Sequence, residues 1–217
     1  MGIHFDKEQI TLEAAAEVRA SALFVSPLLA RLNKATIPNP GGCRIGARPI
    51  DRTIDGLKEM GVDATYNSKD GFFHIKATNG LRGATYKFEK NTHTGTETLI
   101  MAAVLAQGKT ILENAAEEPE VDELISFLNK MGAKVYRKTG RIIEIEGVDK
   151  LHGCRFRVCA DRNEIVTFAI AALITKGDIT VKNADGKDLL EFLSRILILE
   201  QNLCSNNLKT HLMMQTQ

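Results

Sequence analysis

The sequence predicts an α/β fold built from repeats of about seventy residues. When the chain is laid over itself at that offset, several segments come into register, and their apolar residues follow helical or strand spacing. The chain has 217 residues, of which 44% are hydrophobic and 25% are charged. A chain of this kind can bury a sizeable core, so we expect one large or two small domains.

The repeat is visible as pairs of matching segments. GLKEMG, GFFHIKA and GLRGATYKF, at residues 56–61, 71–77 and 80–88, align with SFLNKMG, RIIEIEG and KLHGCRFRV, at residues 126–132, 141–147 and 150–158. A third, partial copy carries TKGDITVKNA and LLEFLSRI, which echo AQGKTILENA and LISFLNKM. A generic α/β domain is the alternative, but three copies in register favour a fold built from repeats.

Each unit begins with a mainly apolar helix and a short strand. The predicted helices cover residues 96–105 and 164–174, and the strands cover residues 109–112 and 178–181. We expect these helices to end at Gly108 and Gly177, because glycine commonly stands just after a helix.

A second helix is predicted over residues 120–130, opened by Pro119 and stopped by Gly132. Between Val121 and Leu128, apolar residues fall at i, i+3, i+4 and i+7, which is the stripe of a helix packed on one side.

Two short strands should follow this second helix, at residues 134–137 and 141–146, joined by a turn at residues 138–140. A closing strand is expected near Phe156. The predicted unit is therefore helix, strand, helix, strand, strand, with one further strand.

Charge and composition exclude several classes of function. The 28 basic and 27 acidic residues give a net charge of +1, so no general attraction to nucleic acid or to anionic membranes is expected. No apolar run of about 18 residues and no signal peptide is present, so we expect a cytoplasmic protein without a membrane segment. The four cysteines form no CxxC pair and the histidines no HExxH motif, so we expect reduced thiols, no metal and no cofactor.

The glycine loop PGGCRIGARP, at residues 40–49, is the strongest local signal of a binding site. Gly41 and Gly42 allow the backbone to approach an anion, and Arg44 and Arg48 add positive charge. Such surroundings lower the pKa of a thiol, so Cys43 is a candidate reactive cysteine. The alternative is that Cys43 is a small buried apolar residue. The loop lacks GxGxxG spacing, so it is not a nucleotide fingerprint.

Several longer motifs carry a resemblance to a known family. PGGCRIGARPID, THTGTETLIMAAVLAQGKTILENAAEEPE and DRNEIVTFAIAALITKGD together resemble the bacterial UDP-N-acetylglucosamine 1-carboxyvinyltransferases, which are enolpyruvyl transferases. The resemblance covers residues 11–196 and implies an inside-out α/β barrel of two domains, each with three repeats, which would be incomplete in this chain. It also implies transfer of the enolpyruvyl group of phosphoenolpyruvate to the 3-hydroxyl of UDP-N-acetylglucosamine, without a metal.

The resemblance implies roles for the glycine loop and for one arginine before it. Cys43 matches the family's proton donor, which can hold a phosphoenolpyruvate adduct and is alkylated by fosfomycin. Arg48 matches an arginine that faces anionic substrate oxygens, and Arg19 matches one near the nucleotide sugar. For Arg19 the alternative is a solvated helix arginine. Pro49, Ile50 and Asp51 continue a strip that resembles a uridine-binding segment.

A second nucleotide-sugar loop is implied at Thr92, His93, Thr94 and Gly95, although His93 and Thr94 depart from the expected serine-containing version. The threonine hydroxyls still favour phosphate contact. Residues 52–53, Arg-Thr, also depart from the leucine and histidine common in the family. Residues 161–164 match a DRxE strip, for which hinge salt bridges and substrate contact both stay open.

The expected domains are residues 1–159, most of the first domain; residues 160–196, the first repeat of the second domain; and residues 197–217, an unrelated tail. The family's chains are much longer, so we expect a truncated copy, lacking a lysine–asparagine pair, an aspartate base and later arginines. The tail shows neither alternation nor a helical stripe, which suggests a frameshift or a premature truncation. The alternative function is an inactive fragment that binds a nucleotide sugar. The sequence leaves the oligomeric state open.

Overall fold

The computed structural model describes residues 9–41, 50–203 and 212–215. The chain divides into two compact units, Met1–Phe156 and Arg157–Gln217. The domain boundaries expected at residues 159 and 196 stay predictions.

The first unit contains five α-helices, one short 3-10 helix and seven strands within its described residues. In chain order they are α1 (Leu12–Glu17), the 3-10 helix Arg19–Phe24, α2 (Val25–Leu32), β1 (Lys34–Pro38), α3 (Asp51–Glu59), β2 (Asp63–Asn67), β3 (Phe72–Lys76), β4 (Thr85–Lys87), α4 (His93–Ala103), β5 (Lys109–Glu113), α5 (Pro119–Lys130), β6 (Lys134–Lys138) and β7 (Ile142–Glu146).

The strands of the first unit form two sheets. Strands β1, β3 and β2 make an antiparallel sheet in the order β1-β3-β2. The second sheet has the order β4-β5-β7-β6, with β4 parallel to β5 and the other pairs antiparallel. The hairpins β2–β3 and β6–β7 occupy equivalent places in the repeat. Asp63 pairs with Lys76 at the end of the first hairpin, and Lys134 pairs with Glu146 at the corresponding end of the second. The predicted repeat is therefore confirmed.

The second predicted helix illustrates how local chemistry sets an element. Pro119 is the first residue of α5, where its missing N–H has no intrahelical partner to lose. Val121, Ile125 and Leu128 are buried, as the stripe predicts. Gly132 follows with φ of +95°, a left-handed conformation that ends the helix.

Helix α4 lies at the centre of the first unit. Leu99, Ile100 and Ala102 on this helix are completely buried. Helices α2 and α3 pack against it, and Ser26 of α2 donates its hydroxyl to the Thr98 carbonyl at 2.6 Å. A Cβ on Gly56 of α3 would overlap Cδ1 of Leu99 and lie 3.0 Å from its Cδ2, so any larger residue here would force the buried Leu99 side chain to shift. The contact sets how closely α3 and α4 lie.

The second unit contains α6 (Arg162–Thr175), β8 (Ile179–Lys182), the 3-10 helix Gly186–Leu189, α7 (Leu190–Leu203) and β9 (Leu212–Gln215), which pairs in parallel with β8. Its buried apolar cluster consists of Ile165, Ala184 and Leu189. Helix α6 occupies the place of α4 in the repeat, yet Phe168 is 53% and Ile174 77% exposed. The second unit is therefore much less well packed internally than the first.

Three expectations need correction. Residues 147–161, all of them described, form no strand near Phe156; the Phe156 ring instead packs edge-on against Phe127, with centroids 5.2 Å apart. Helix α4 ends at Ala103, well before Gly108, and α6 ends with Lys176 in the left-handed conformation in place of Gly177. The start of the expected irregular tail is helical, because α7 continues to Leu203.

The described residues contain no helix long and apolar enough to cross a membrane. Nor do they bring three or more metal-ligating His, Cys, Asp or Glu side chains together. Cys154 and Cys159 form no disulfide with any described residue.

Candidate functional site

A cavity of about 340 Å³ lies in the first unit, where the first turns of α3 and α4 approach the 3-10 helix Arg19–Phe24. Such a volume is at the lower end of the range of small-molecule sites. Its lining within the described residues includes both polar and apolar side chains, and consists of Arg19, Ala22, Val25, Ile37, Ile50, Arg52, Thr53, Ile54, Asn91, Thr92, His93, Thr94, Gly95 and Thr98.

The start of α4 gives the cavity an anion-binding character. Thr92 is the N-cap residue, and its Oγ1 accepts a hydrogen bond from the Gly95 amide at 3.3 Å. The first amides of a helix have no intrahelical acceptor, and the helix dipole adds positive potential there. Thr94 lies in the same turn, and its carbonyl accepts the Thr98 hydroxyl at 2.7 Å. This end of the cavity is therefore suited to phosphate oxygens.

The start of α3 forms a second wall. Ile50 is the N-cap residue and is buried, while Arg52 and Thr53 lie in the first turn. The Tyr86 hydroxyl donates to the Arg52 carbonyl at 2.9 Å, and burial raises the pKa of Tyr86, which favours the protonated donor. The two helix starts touch, because a Cβ on Gly95 would lie 3.2 Å from the Thr53 hydroxyl oxygen.

His93 adds a titratable group to the cavity. Its Nε2 lies 3.3 Å from Glu97 Oε1, but finds no partner with hydrogen-bond geometry among the described residues. The nearby Glu97 carboxylate raises the pKa of His93 above its usual value, with smaller contributions from Glu118 and Glu120, while partial burial opposes the increase. The contact between His93 and Glu97 is therefore a charge pair across 3.3 Å. His93 is therefore more readily protonated than a free histidine.

The predicted site residues divide into three groups. Arg19, Ile50 and the four residues from Thr92 to Gly95 all line the cavity. Asp51 is exposed at the first position of α3 and is not among the lining residues. Cys43, Arg48 and Pro49 lie outside the described residues.

Gly41 and Ile50, which flank residues 42–49, both have defined contacts. The Gly41 amide donates to the Ala15 carbonyl at 2.9 Å, and a Cβ on Gly41 would overlap the carbonyl oxygen of Ala16. At the other end, Ile50 lines the cavity. Glycine is thus required at Gly41 because the backbone passes directly against helix α1.

The prediction missed the other described lining residues of the cavity, which are apolar side chains together with the polar residues Arg52, Thr53, Asn91 and Thr98. The sequence offered one signal for Arg52 and Thr53: they directly follow the predicted strip that ends at Asp51, in the first turn of a helix. The DRxE strip also has a structural role, since the Asp161 carboxylate accepts the amide of Asn163 at 2.8 Å and caps helix α6.

Known proteins resemble this chain over most of its length. A family model described as EPSP synthase (3-phosphoshikimate 1-carboxyvinyltransferase) matches residues 3–202. A UDP-N-acetylglucosamine 1-carboxyvinyltransferase of Bartonella henselae is 46% identical over 196 residues, covering 88% of this chain and 45% of that protein. The chain thus spans about 45% of the length of the curated relatives that it matches.

Solved structures support the fold. The enolpyruvyl transferase NikO from Streptomyces tendae superposes with a TM-score of 0.62 at 19% identity, over 77% of this chain and 39% of that chain. An EPSP synthase from Acinetobacter baumannii gives a TM-score of 0.56 at 21% identity, over 71% of this chain and 34% of that chain. The expected enolpyruvyl-transferase fold, incomplete in this chain, is therefore confirmed.

Proposed function

Because the chain belongs to the EPSP synthase (3-phosphoshikimate 1-carboxyvinyltransferase) family, we propose that it serves enolpyruvyl transfer from phosphoenolpyruvate to the 3-hydroxyl of UDP-N-acetylglucosamine. The matching curated relatives carry the name of that reaction. In this proposal the chain acts in the cytoplasm, at the first committed step of peptidoglycan synthesis.

The convergence of distant segments on one cavity is the observation that carries the proposal. Arg19, Ile50 and Thr92 are far apart in the sequence, and all three line the same space. Each belongs to a segment for which the family resemblance implies contact with the nucleotide sugar. A cavity of about 340 Å³ can hold part of a nucleotide sugar, with the remainder extending outward.

The diphosphate would bind where α4 begins. Amides of the first turn and the hydroxyl of Thr94 can donate to its oxygens, and Arg19 supplies a guanidinium. Thr92 fixes this turn by capping it, so its side chain acts mainly through the backbone. Asp51, exposed beside the cavity, remains a proposed contact for the uridine end.

The chemical step requires a proton on the methylene carbon of phosphoenolpyruvate while the sugar oxygen bonds to its central carbon and the sugar hydroxyl gives its own proton to a base. We assign this proton to the thiol of Cys43, and contact with the substrate's anionic oxygens to Arg48. In the second step a methyl proton returns to the Cys43 thiolate and phosphate leaves from the central carbon, which restores the carbon–carbon double bond. General acid catalysis of this kind needs the donor within hydrogen-bond reach of the carbon that it protonates.

A binding function without turnover is the second candidate. It is favoured because every lining residue that the structure describes belongs to the first unit, whereas the chain spans less than half of its relatives' length. Catalysis of this type depends on groups from several segments held together. For the 217 residues alone, we therefore expect nucleotide-sugar binding with little or no turnover.

Calorimetric titration with UDP-N-acetylglucosamine tests binding, and release of phosphate from phosphoenolpyruvate tests turnover. Phosphate release that requires the nucleotide sugar and disappears in Cys43→Ser would establish the transferase. Binding of UDP-N-acetylglucosamine without phosphate release would establish the second candidate, a nucleotide-sugar-binding function without turnover. If neither binding nor release occurs, the proposal is wrong.

The role of Cys43 has a separate test. Iodoacetamide at neutral pH should label Cys43 faster than Cys154, Cys159 or Cys204, because positive charge and backbone amides stabilise a thiolate. Peptide mass spectrometry gives the rate for each thiol. Equal rates for all four cysteines would contradict an activated Cys43.

A further inference from the structure

We propose that Arg52 is a specificity-determining residue of the cavity, whose guanidinium binds a phosphate oxygen of the nucleotide ligand. The inference rests on the proposed function, and it deepens that function by assigning the preference for a phosphorylated ligand to one side chain. Arg52 belongs to the lining of the cavity and is half-buried.

The backbone of Arg52 is held independently of its side chain. Its carbonyl accepts the Tyr86 hydroxyl at 2.9 Å, and it lies in the first turn of α3, where the Thr53 amide donates to the Ile50 carbonyl at 2.9 Å. A substitution that keeps the backbone should therefore keep this wall of the cavity in place.

The guanidinium of Arg52 has no ion-pair partner among the described residues. The carboxylate one turn along the helix, Asp55, pairs with Lys58 at 3.6 Å. The described lining of the cavity includes Arg19, Arg52 and His93, and no aspartate or glutamate. Glu97 offsets the charge of His93, so the preference for an anion is assigned to Arg52, whose charge no described carboxylate pairs with. Such a guanidinium in a cavity lining favours an anion, and guanidinium groups suit phosphate because they can form paired hydrogen bonds.

The charge is a property of this chain and not a requirement of the fold. The family that the sequence resembles commonly has leucine at this position. A leucine side chain would supply apolar contact but could not hydrogen-bond to a phosphate oxygen. Arg52 is therefore expected to strengthen binding of UDP relative to uridine, since these two ligands differ only in the diphosphate.

Calorimetric titration of the full 217-residue chain with UDP and with uridine tests the assignment. We expect the parent chain to bind UDP at least tenfold more tightly than uridine. Arg52→Leu should weaken UDP binding by about tenfold, which corresponds to about 1.4 kcal/mol, and leave uridine binding unchanged. The UDP affinity of Arg52→Leu should also fall less steeply with added salt.

Arg155→Leu is the matched control, because Arg155 is exposed in the same unit and does not line the cavity. It should leave both affinities unchanged. Arg52→Gln, which keeps a polar side chain but removes the charge, should repeat the selective loss of UDP affinity. It replaces the leucine variant if circular dichroism shows that variant to be unfolded.

Two results would overturn the inference: an unchanged UDP affinity in both Arg52 variants, or equal losses for UDP and uridine. Failure of the proposed function looks different, because the parent chain itself would then fail to bind UDP-N-acetylglucosamine.

Discussion

Replacing Gly56 by alanine should destabilise the packing of α3 against α4. The new Cβ would overlap Cδ1 of Leu99 and lie 3.0 Å and 3.2 Å from its Cδ2 and Cγ, and Leu99 is fully buried. Overpacking of a core contact typically costs about 1–3 kcal/mol. Alanine also favours a helix over glycine by about 1 kcal/mol, so the expected net loss is about 0–2 kcal/mol.

The sign of this effect should reverse when Leu99 is truncated. The three nearest atoms within 4 Å of the added Cβ all belong to the Leu99 side chain, so Leu99→Ala removes the overlap. Leu99→Ala alone should cost about 2–5 kcal/mol through the cavity that it creates. In that background, Gly56→Ala keeps its helix preference and partly fills the space, so it should stabilise the protein by about 1 kcal/mol.

Urea unfolding of the four proteins in this cycle measures the coupling. The chain has no tryptophan, and its three tyrosines, Tyr66, Tyr86 and Tyr136, all lie in the first unit. Tyrosine fluorescence therefore reports the unfolding of that unit alone. The expected coupling free energy between the two substitutions is about 1–3 kcal/mol, well above what independent sites show.

An equal effect of Gly56→Ala in both backgrounds would refute the reasoning, because it would mean that Leu99 is not what restricts position 56. Because the same contact sets the separation of α3 and α4, Gly56→Ala should also weaken ligand binding in the cavity between their first turns. Leu99→Ala restores room at that contact, so the double variant should recover part of the affinity.

Three further predictions concern caps, titration and close packing. Thr92→Ala should cost about 1 kcal/mol of stability in urea unfolding and weaken UDP binding, whereas Thr92→Ser should keep most of both, since only serine retains the capping oxygen. The pKa of His93 is raised in the folded state, mainly by Glu97, so protonated His93 stabilises the folded protein. This contribution to the free energy of unfolding is complete below about pH 6.5 and is lost as pH rises through the raised pKa. Glu97→Gln should flatten that pH dependence of the free energy of unfolding. Gly147→Ala should abolish folding or cost more than about 4 kcal/mol, because its Cβ would overlap the backbone oxygen of Ala106; a soluble variant with parent-like urea midpoint would contradict this.

The elements that the sequence predicts well are those specified by local periodicity. Helix α5 follows its apolar stripe from Val121 to Leu128, and the hairpin of β6 and β7 follows a glycine turn. The strand expected near Phe156 depended on a distant pairing partner, which local pattern cannot supply; a ring contact with Phe127 holds the segment instead. The end of α6 was misplaced because Lys176, and not glycine, adopts the left-handed conformation.

The candidate site was predictable in part for the same reason. Thr92 and its neighbours could be found from their motif, because a helix start is a local feature. The contribution of Arg52 and Thr53 depends on how closely α3 approaches α4, which Gly56 and Leu99 determine across the core. The roles assigned to Cys43, Arg48 and Pro49 stay predictions.

The exposed apolar surface of α6 affects how readily each unit opens locally. A helix with few buried contacts opens at low free energy, so amide hydrogens of α6 should exchange with deuterated solvent far sooner than those of α4. All described residues that line the cavity lie in the first unit, so opening of the second unit removes none of them. A bound nucleotide should therefore slow exchange in α4 and leave exchange in α6 unchanged.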